Sequence, residues 1–462
     1  MPSTRFDAIV IGSGQAGTPL SQALAGAGMS TALIEKDHLG GTCVNEGCTP
    51  TKTMIASGRV AYLARRAADY GVQTGPVRIN MARVRRRKRD IVASFRGGSE
   101  KKIKKTANLE WIEGKASFTG PRSVEVQLSG GRTRSLAAER IFINAGCRPS
   151  VPALEGAADV PLLDSTSIME VGQVPKHLLV LGGGYVGLEF GQLFRRLGSA
   201  VTIVQSGPQL LGHEDKDVAD EVAEILKEDG LKIHLSARAQ GVSRLRGEVA
   251  MKVQSNGKTR MLRGSHLLIA AGRTPNTDSL NLPAAGISTD DRGFIRVNEK
   301  LETNMPGVFA LGDIKGGPAF THISYDDFRI IRTNVIEKGN ATTAGRLVPY
   351  TVFIDPQLGR IGLTEDEAKK RGRPIRVAKM PMSYVARALE VDETRGFMKA
   401  IVDAASGQIL GAAVLGIEGG EIMAQIQLAI MGKLPYTVLK DGIFAHPTLA
   451  ESLNSLFGHL ET

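Results

Sequence analysis

Two thiols five positions apart, Cys43 and Cys48, are the residues of this sequence best placed to do chemistry. With Cys147 they make up the chain's 3 cysteines, an odd and low number that argues against a secreted disulfide scaffold. The close pair therefore reads as redox or metal chemistry. Two thiols alone make a poor zinc site, and no C-x-x-C partner or paired histidines stand nearby to complete one, so no metal site is expected. Cys147 reads as a free, buried or half-buried thiol. A second kind of chemistry is written in glycine. Gly12-Ser13-Gly14-Gln15-Ala16-Gly17 is a G-x-G-x-x-G turn, with Glu35 18 residues past its last glycine. Gly12 allows the tight turn, Gly14 lets a pyrophosphate approach the backbone, and Gly17 brings helix against strand. The helix N-terminus supplies a positive field, and Glu35 can bind both ribose hydroxyls. The pattern recurs as Gly182-Gly183-Gly184-Tyr185-Val186-Gly187, so the chain is expected to hold two dinucleotides.

The elements around these turns are strands and helices in alternation. Ala8–Ile11 is a continuous apolar run, as a strand buried on both faces should be; a helix to about Ala27 and the strand Thr31–Ile34 follow. Leu178–Leu181, a helix and Val201–Val204 repeat the unit. Ile141–Ile143 and Leu267–Ile269 each end in a Gly/Pro turn and read as exits from their sheets. Beyond about Val348, the strand Phe397–Val402 and the helix Glu421–Met431 predict an α+β domain without a nucleotide motif. At 462 residues the chain exceeds a single core, and its 54 glycines suit a protein of many tight turns and close backbone approaches. The expected fold is α/β: two Rossmann-like dinucleotide-binding domains and a C-terminal α+β dimerisation domain. The boundaries expected are 1–150 and 276–346 for the two parts of the FAD-binding domain, 151–275 for the NAD(P) domain and 347–462 for the interface domain. No apolar run reaches the ~18 residues of a membrane span, and the N-terminus leads into a strand without a signal-peptide core, which predicts a cytoplasmic protein with no membrane partner. Net charge is +11, with a basic concentration at Arg83–Arg89 and Lys101–Lys105. That stretch reads first as a solvated helix face, second as a docking surface for an acidic partner; nucleic acid comes last, because no binding motif accompanies the charge.

With both turns and the thiols in view, the chain resembles the class I pyridine-nucleotide–disulfide oxidoreductases, which include dihydrolipoamide dehydrogenase, glutathione reductase and mercuric reductase. The resemblance runs from about residue 5 to 457 and is most specific at Gly40-Gly41-Thr42-Cys43-Val44-Asn45-Glu46-Gly47-Cys48-Thr49-Pro50-Thr51-Lys52. It implies FAD and NAD(P)H as cofactors, Cys48 as the thiol lying against the flavin and Cys43 as the outward thiol that exchanges with substrate. It implies that Lys52 contacts the flavin and pairs with Glu189, that Gly312-Asp313 binds the ribityl and phosphate region, and that Tyr185 covers the nicotinamide side. Gly41, Thr42, Gly146 and Gly272 are assigned to the cofactors on the same ground, beside Gly12, Gly14, Gly17, Glu35, Gly182, Gly184 and Gly187. A histidine before proline is ordinarily a turn residue, but Ala445-His446-Pro447-Thr448-Leu449-Ala450-Glu451 matches the family's H-P-T-x-x-E. His446 is then the acid–base group of dithiol exchange, with Glu451 fixing its tautomer, and the resemblance places it in the other subunit's site, which implies an obligate homodimer.

Departures from the family narrow the function. Phe320–Asp327 is worded like the mercuric reductases, yet no cysteine follows Cys147, so the metal-capturing C-terminal pair is missing and mercuric reduction is not expected. At the end of the second unit's second strand, Val204-Gln205-Ser206 offers neither the acid that favours NAD nor an arginine for the NADP phosphate, although Arg195 and Arg196 lie on the preceding helix. The missing acid gives a slight lean to NADPH. The expected activity is NAD(P)H:disulfide oxidoreduction of the dihydrolipoamide dehydrogenase type, on a small or carrier-bound dithiol, including an acidic lipoyl carrier. The alternative is a metal-ion or quinone reductase on the same scaffold, and a flavin-bearing scaffold protein without turnover comes third.

Overall fold

The computed structural model describes residues 3–460; Met1 and Pro2, the start of the stretch read as lacking a signal-peptide core, lie outside it. The chain packs into two compact units. The first comprises the residues up to Thr53, Arg83–Ser150 and Gly272–Arg346; the second comprises Met54–Ala82, Val151–Ala271 and the chain from Leu347 on.

In the first unit β1 (Thr4–Ile11), α1 (Gly17–Gly26) and β2 (Thr31–Glu35) form the anticipated strand–turn–helix–strand. Along the chain follow α2 (Gly41–Asn45), α3 (Cys48–Arg65), of which Met54 onward belongs to the second unit, α4 (Met81–Lys105), which belongs to the first unit from Arg83, and then β3 (Leu109–Gly120), β4 (Ser123–Leu128) and β5 (Thr133–Ile143). β1 lies between β2 and β5 with all three parallel, Ile9 opposite Ala32 and Ile141. β3 extends the parallel sheet beyond β2, and the strand Val308–Ala310 extends it beyond β5. The outer half of β3 turns away with β4 and the start of β5 as an antiparallel meander. Both faces of the sheet are covered. Ile9, Ile11, Ile34 and Ile141 pack on one side, Ala8, Val10, Leu33 and Phe142 on the other. That two-sided burial is why the strands read as unbroken apolar runs.

The second unit repeats the plan. His177–Leu181, the helix α5 (Tyr185–Leu197) and Ala200–Val204 form its strand–turn–helix–strand. The sheet orders Lys232–His234, Ala200–Val204, His177–Leu181, His266–Ile269 and Leu162–Leu163, all parallel, with its own antiparallel excursion over residues 237–264. From Tyr350 a five-stranded antiparallel sheet carries the helix Gly419–Met431, the α+β segment expected there. The two segments read as exits from their sheets pair with each other: Cys147–Pro149 runs antiparallel to Arg273–Pro275.

α4 is the basic stretch. Its residues Met81, Lys88, Val92 and Ile103 are buried, while Arg83, Arg86, Arg89 and the terminal lysines Lys101, Lys102, Lys104 and Lys105 face solvent. Eleven of its residues are Lys or Arg and two are Asp or Glu, so this one helix carries nine of the eleven net positive charges of the chain.

Candidate active site

The thiols sit where two short helices meet. Cys43 is in α2 and Cys48 is the first residue of α3, so the C-x4-C spacing is one tight turn between helices. Asn45 holds that turn from inside: its Nδ2 donates to the carbonyls of Leu39 and Gly41 at 3.0 and 2.9 Å, and its Oδ1 accepts from Arg96 Nε of α4 at 2.8 Å. Gly47 is required because a Cβ there would lie 2.9 Å from the Thr42 carbonyl oxygen. Cys48 Sγ is 3.2 Å from Thr321 Oγ1, and Thr321 is the first residue of the helix Thr321–Ile331. Two helix N-termini thus converge on Cys48, a setting that favours a thiolate. The contact with Cys48, and then burial, push the Cys43 thiol well above the ordinary thiol range. In the single chain Cys48 is exposed and Cys43 half-buried, an order set by protein contacts alone.

The first glycine turn lies directly on the redox turn. A Cβ on Gly41 would come within 2.6 Å of Gly14 Cα, Gln15 Nε2 donates to the Gly40 carbonyl at 3.2 Å, and the Gly40 N–H donates to Ser13 Oγ at 3.2 Å. Glu35 is buried at the end of β2, where Oε2 accepts both the N–H and the hydroxyl of Ser13 at 2.9 and 2.7 Å. Gly12 has φ +99 and no room for a Cβ, which would sit 2.4 Å from the Asn144 carbonyl oxygen. Gly17 is closed by the turn itself, since its Cβ would meet Gly12 O at 1.9 Å. The N–H groups of Gly14, Gln15 and Ala16 take no acceptor among the described residues. Three free N–H groups at a helix N-terminus fit the diphosphate of FAD. Asp313, at the end of the sheet, has its carboxyl raised by burial, with Arg273 and Lys315 opposing the shift. Cys147, expected to be a free, buried or half-buried thiol, is buried; it donates to the Asp313 carbonyl at 3.2 Å and is pushed up to about 12, first by burial and then by Asp313. Gly146 opens onto free space, and Lys52 lies one turn beyond Cys48 on α3.

In the second unit the same contacts recur. A Cβ on Gly182 would lie 2.3 Å from the Ala270 carbonyl oxygen and one on Gly187 2.1 Å from Gly182 O, while Gly184 is open and suits a close-lying second dinucleotide. Gln205 takes the place that Glu35 has in the first unit, its Oε1 accepting the Gly183 N–H at 3.0 Å. Arg195 and Arg196 are engaged elsewhere. Arg195 Nε donates to the Asp229 carbonyl at 2.8 Å, and Arg196 is buried against Asp355 and Asp229. Tyr185 opens α5 half-buried, and Glu189, one turn on, is buried and accepts the Phe353 N–H at 3.0 Å. Near the C-terminus His446 Nδ1 lies 3.0 Å from both oxygens of Glu451; the imidazole is 72% exposed and the carboxylate 21%. The exposed apolar residues Leu428, Met431, Leu434, Val438 and Ile443 precede it in the chain.

Sequence reasoning missed Thr321. A threonine beside a histidine carries no local signal, and its partner Cys48 is 273 residues away. Among the described residues no three His, Cys, Asp or Glu side chains gather to hold a metal ion, and no helix is long and apolar enough to cross a membrane.

Residues 6–327 match the pyridine nucleotide-disulphide oxidoreductase family and residues 348–457 its dimerisation domain. The chain is 37% identical over 457 residues to the probable pyridine nucleotide-disulfide oxidoreductase RclA of Escherichia coli, covering 98% of this chain and 99% of the relative. It is 31% identical over 446 residues to a dihydrolipoyl dehydrogenase of Geobacillus stearothermophilus, covering 96% and 94%. A solved structure of the Cu(II) complex of the HOCl-induced flavoprotein disulfide reductase RclA from Escherichia coli matches with a TM-score of 0.90 and 36% identity, covering 99% of each chain. The chain belongs to the pyridine nucleotide-disulfide oxidoreductases and is an FAD-dependent enzyme that couples NAD(P)H to a disulfide as a homodimer.

Proposed function

We propose that the reaction runs through Cys43 and Cys48 with His446 as its acid–base group, and that the substrate is a dithiol or disulfide. The observation that carries this reading is the imidazole gripped through Nδ1 by both Glu451 oxygens at 3.0 Å yet otherwise exposed, which leaves Nε2 to handle a proton outside its own chain. When bound, the flavin supplies the two-electron relay between nicotinamide and sulfur. Cys43, held protonated by its neighbour and by burial, needs a base to become a nucleophile, and His446 of a second copy of the chain is assigned that task. The Cys43 thiolate attacks one sulfur of R–S–S–R′, forming a mixed disulfide and expelling R′S⁻, which takes the proton back from His446. Cys48 then attacks Cys43 Sγ, re-forming the Cys43–Cys48 bond and releasing RS⁻. Two electrons pass to the substrate with the one proton taken from Cys43, and RS⁻ takes its proton from solvent. In this reading the FAD site uses Gly12, Gly14, Gly17, Glu35, Gly41, Thr42, Gly146, Gly312, Asp313 and Lys52. The nicotinamide nucleotide uses Gly182, Gly184, Tyr185, Gly187, Glu189 and Gly272, with residues 1–150 and 276–346, 151–275 and 347–462 as the three functional domains.

The finer assignments follow from charge. Gln205 removes the acid that repels a 2′-phosphate, which supports a slight preference for NADPH. The net +9 of α4 supports an acidic lipoyl carrier as the dithiol's bearer, acting in the cytoplasm. Steady-state turnover with lipoamide, glutathione disulfide, cupric ion and a quinone, each with NADH and NADPH, tests the proposal; no turnover with any disulfide overturns it. A second reading is favoured by the Cu(II) complex of the similar Escherichia coli protein. Two cupric ions would each take one electron per NAD(P)H oxidised, and that turnover would survive His446→Ala.

A further inference from the structure

We infer that Asn144 is a positioning residue for FAD, one carboxamide that ties together the two turns between which the cofactor's diphosphate and ribityl regions must lie. The inference rests on the assignment of the Gly12–Gly17 and Gly312–Asp313 turns to FAD. Asn144 directly follows β5, 7% exposed, its backbone N–H donating to the Ile11 carbonyl at 2.7 Å. Its Oδ1 accepts the Gly17 N–H at 2.9 Å, and its Nδ2 donates to the Leu311 carbonyl at 3.0 Å.

The first bond replaces a missing cap. α1 begins at Gly17 behind Ala16, which has no side-chain acceptor, and its first turn contains no acid. A residue 127 positions away therefore does what a local Ser or Asp does in other helices. It binds the Gly17 N–H, and the groups of Gly14, Gln15 and Ala16 stay free for the cofactor. The second bond fixes the carbonyl immediately before Gly312, whose own N–H is held by Asp327 Oδ2 at 2.8 Å. The amide also fills the space that glycine vacates: a Cβ would come within 2.8 Å of Oδ1 at Gly14 and 2.7 Å of Nδ2 at Gly312. Only a group that both donates and accepts, and carries no charge, can join these turns without repelling a diphosphate. Alanine would leave the Gly17 N–H and the Leu311 carbonyl buried without partners. A carboxylate of the same size would keep the first bond, lose the second and add a negative charge beside the cradle.

The test is the FAD dissociation constant of the apoprotein, read by quenching of flavin fluorescence, for wild type, N144A, N144D and G14V, with each apoprotein's Tm measured alongside. N144A is expected to weaken FAD binding about tenfold to a hundredfold, from two buried polar groups left unpaired, and N144D at least as much. A purely structural role would lower the apoprotein's Tm and leave the dissociation constant within twofold of wild type, which overturns the inference. Should N144A yield no folded apoprotein, the nearly isosteric N144D decides, and wild-type affinity there overturns it equally. G14V separates the two levels. If it retains FAD the cradle assignment itself falls; if it loses FAD while both Asn144 variants bind normally, only the role of Asn144 falls.

Discussion

The pair of His446 and Glu451 can be tested as a unit. Nδ1 contacts both carboxylate oxygens at 3.0 Å, so Glu451 holds the tautomer with its proton on Nδ1 and aims the ring. His446→Ala removes the proposed acid–base group and should lower turnover with a disulfide by about 10²–10⁴-fold. Glu451→Ala removes only the aim and the charge. A charge-assisted hydrogen bond is worth roughly 1.5–3 kcal/mol, and the 72% exposure of the ring discounts that to about 1–2 kcal/mol, a loss of roughly 5- to 30-fold. Glu451→Gln should fall between this variant and wild type, because its amide oxygen can still accept from Nδ1–H. The double variant His446→Ala/Glu451→Ala should be no slower than His446→Ala alone, since Glu451 acts only through the imidazole. The assay is kcat/KM with a small disulfide, paired with stopped-flow reduction of the flavin by NAD(P)H, which no variant should slow. Losses that multiply in the double variant, or an equal loss in flavin reduction, would refute the reasoning.

Other outcomes follow from the same geometry. Reduction of the wild-type enzyme should give the long-wavelength absorption of a thiolate beside flavin; Cys48→Ser should abolish it and His446→Ala should leave it, and retention in Cys48→Ser would reverse the thiol assignment. Gln205→Glu should shift the NADPH/NADH ratio of kcat/KM towards NADH at least about tenfold, because a carboxylate there repels a 2′-phosphate; an unchanged ratio would place coenzyme choice elsewhere. Cys147 is pushed up to about 12, above the ordinary thiol range, so it stays protonated at pH 8 in the folded protein and opposes folding only as pH rises past its unfolded value. Alkylation at pH 8 followed by mass spectrometry should label the reduced Cys43–Cys48 pair, where His446 can take the Cys43 proton, and reach the buried Cys147, which has no such base, only after denaturation.

What could be read without coordinates was whatever local backbone geometry demands. The first and last glycines of both turns are dictated by carbonyl oxygens 1.9–2.4 Å from any added Cβ, so their spacing is visible in sequence. The pairing of His446 with Glu451, five residues on, is equally local. The basic helix was legible as a helix, but its one buried lysine, Lys88, was not, because burial depends on what packs against that face. Arg195 and Arg196, set beside the coenzyme question by proximity in sequence, instead bond the Asp229 carbonyl and the Asp355 carboxylate, which the fold brings to α5.

The sequence alone determined two G-x-G-x-x-G turns, a C-x4-C pair and a histidine–glutamate pair near the C-terminus, because each is held within a single turn or loop. Tertiary structure decided which groups tune them. Thr321 reaches Cys48 across 273 residues, and Asn144 reaches Gly17 and Leu311 across 127 and 167. Such meetings follow from a strand order that places β5 between β1 and Val308–Ala310, and strand order is set by the burial of whole sheet faces rather than by any one residue's neighbours in sequence.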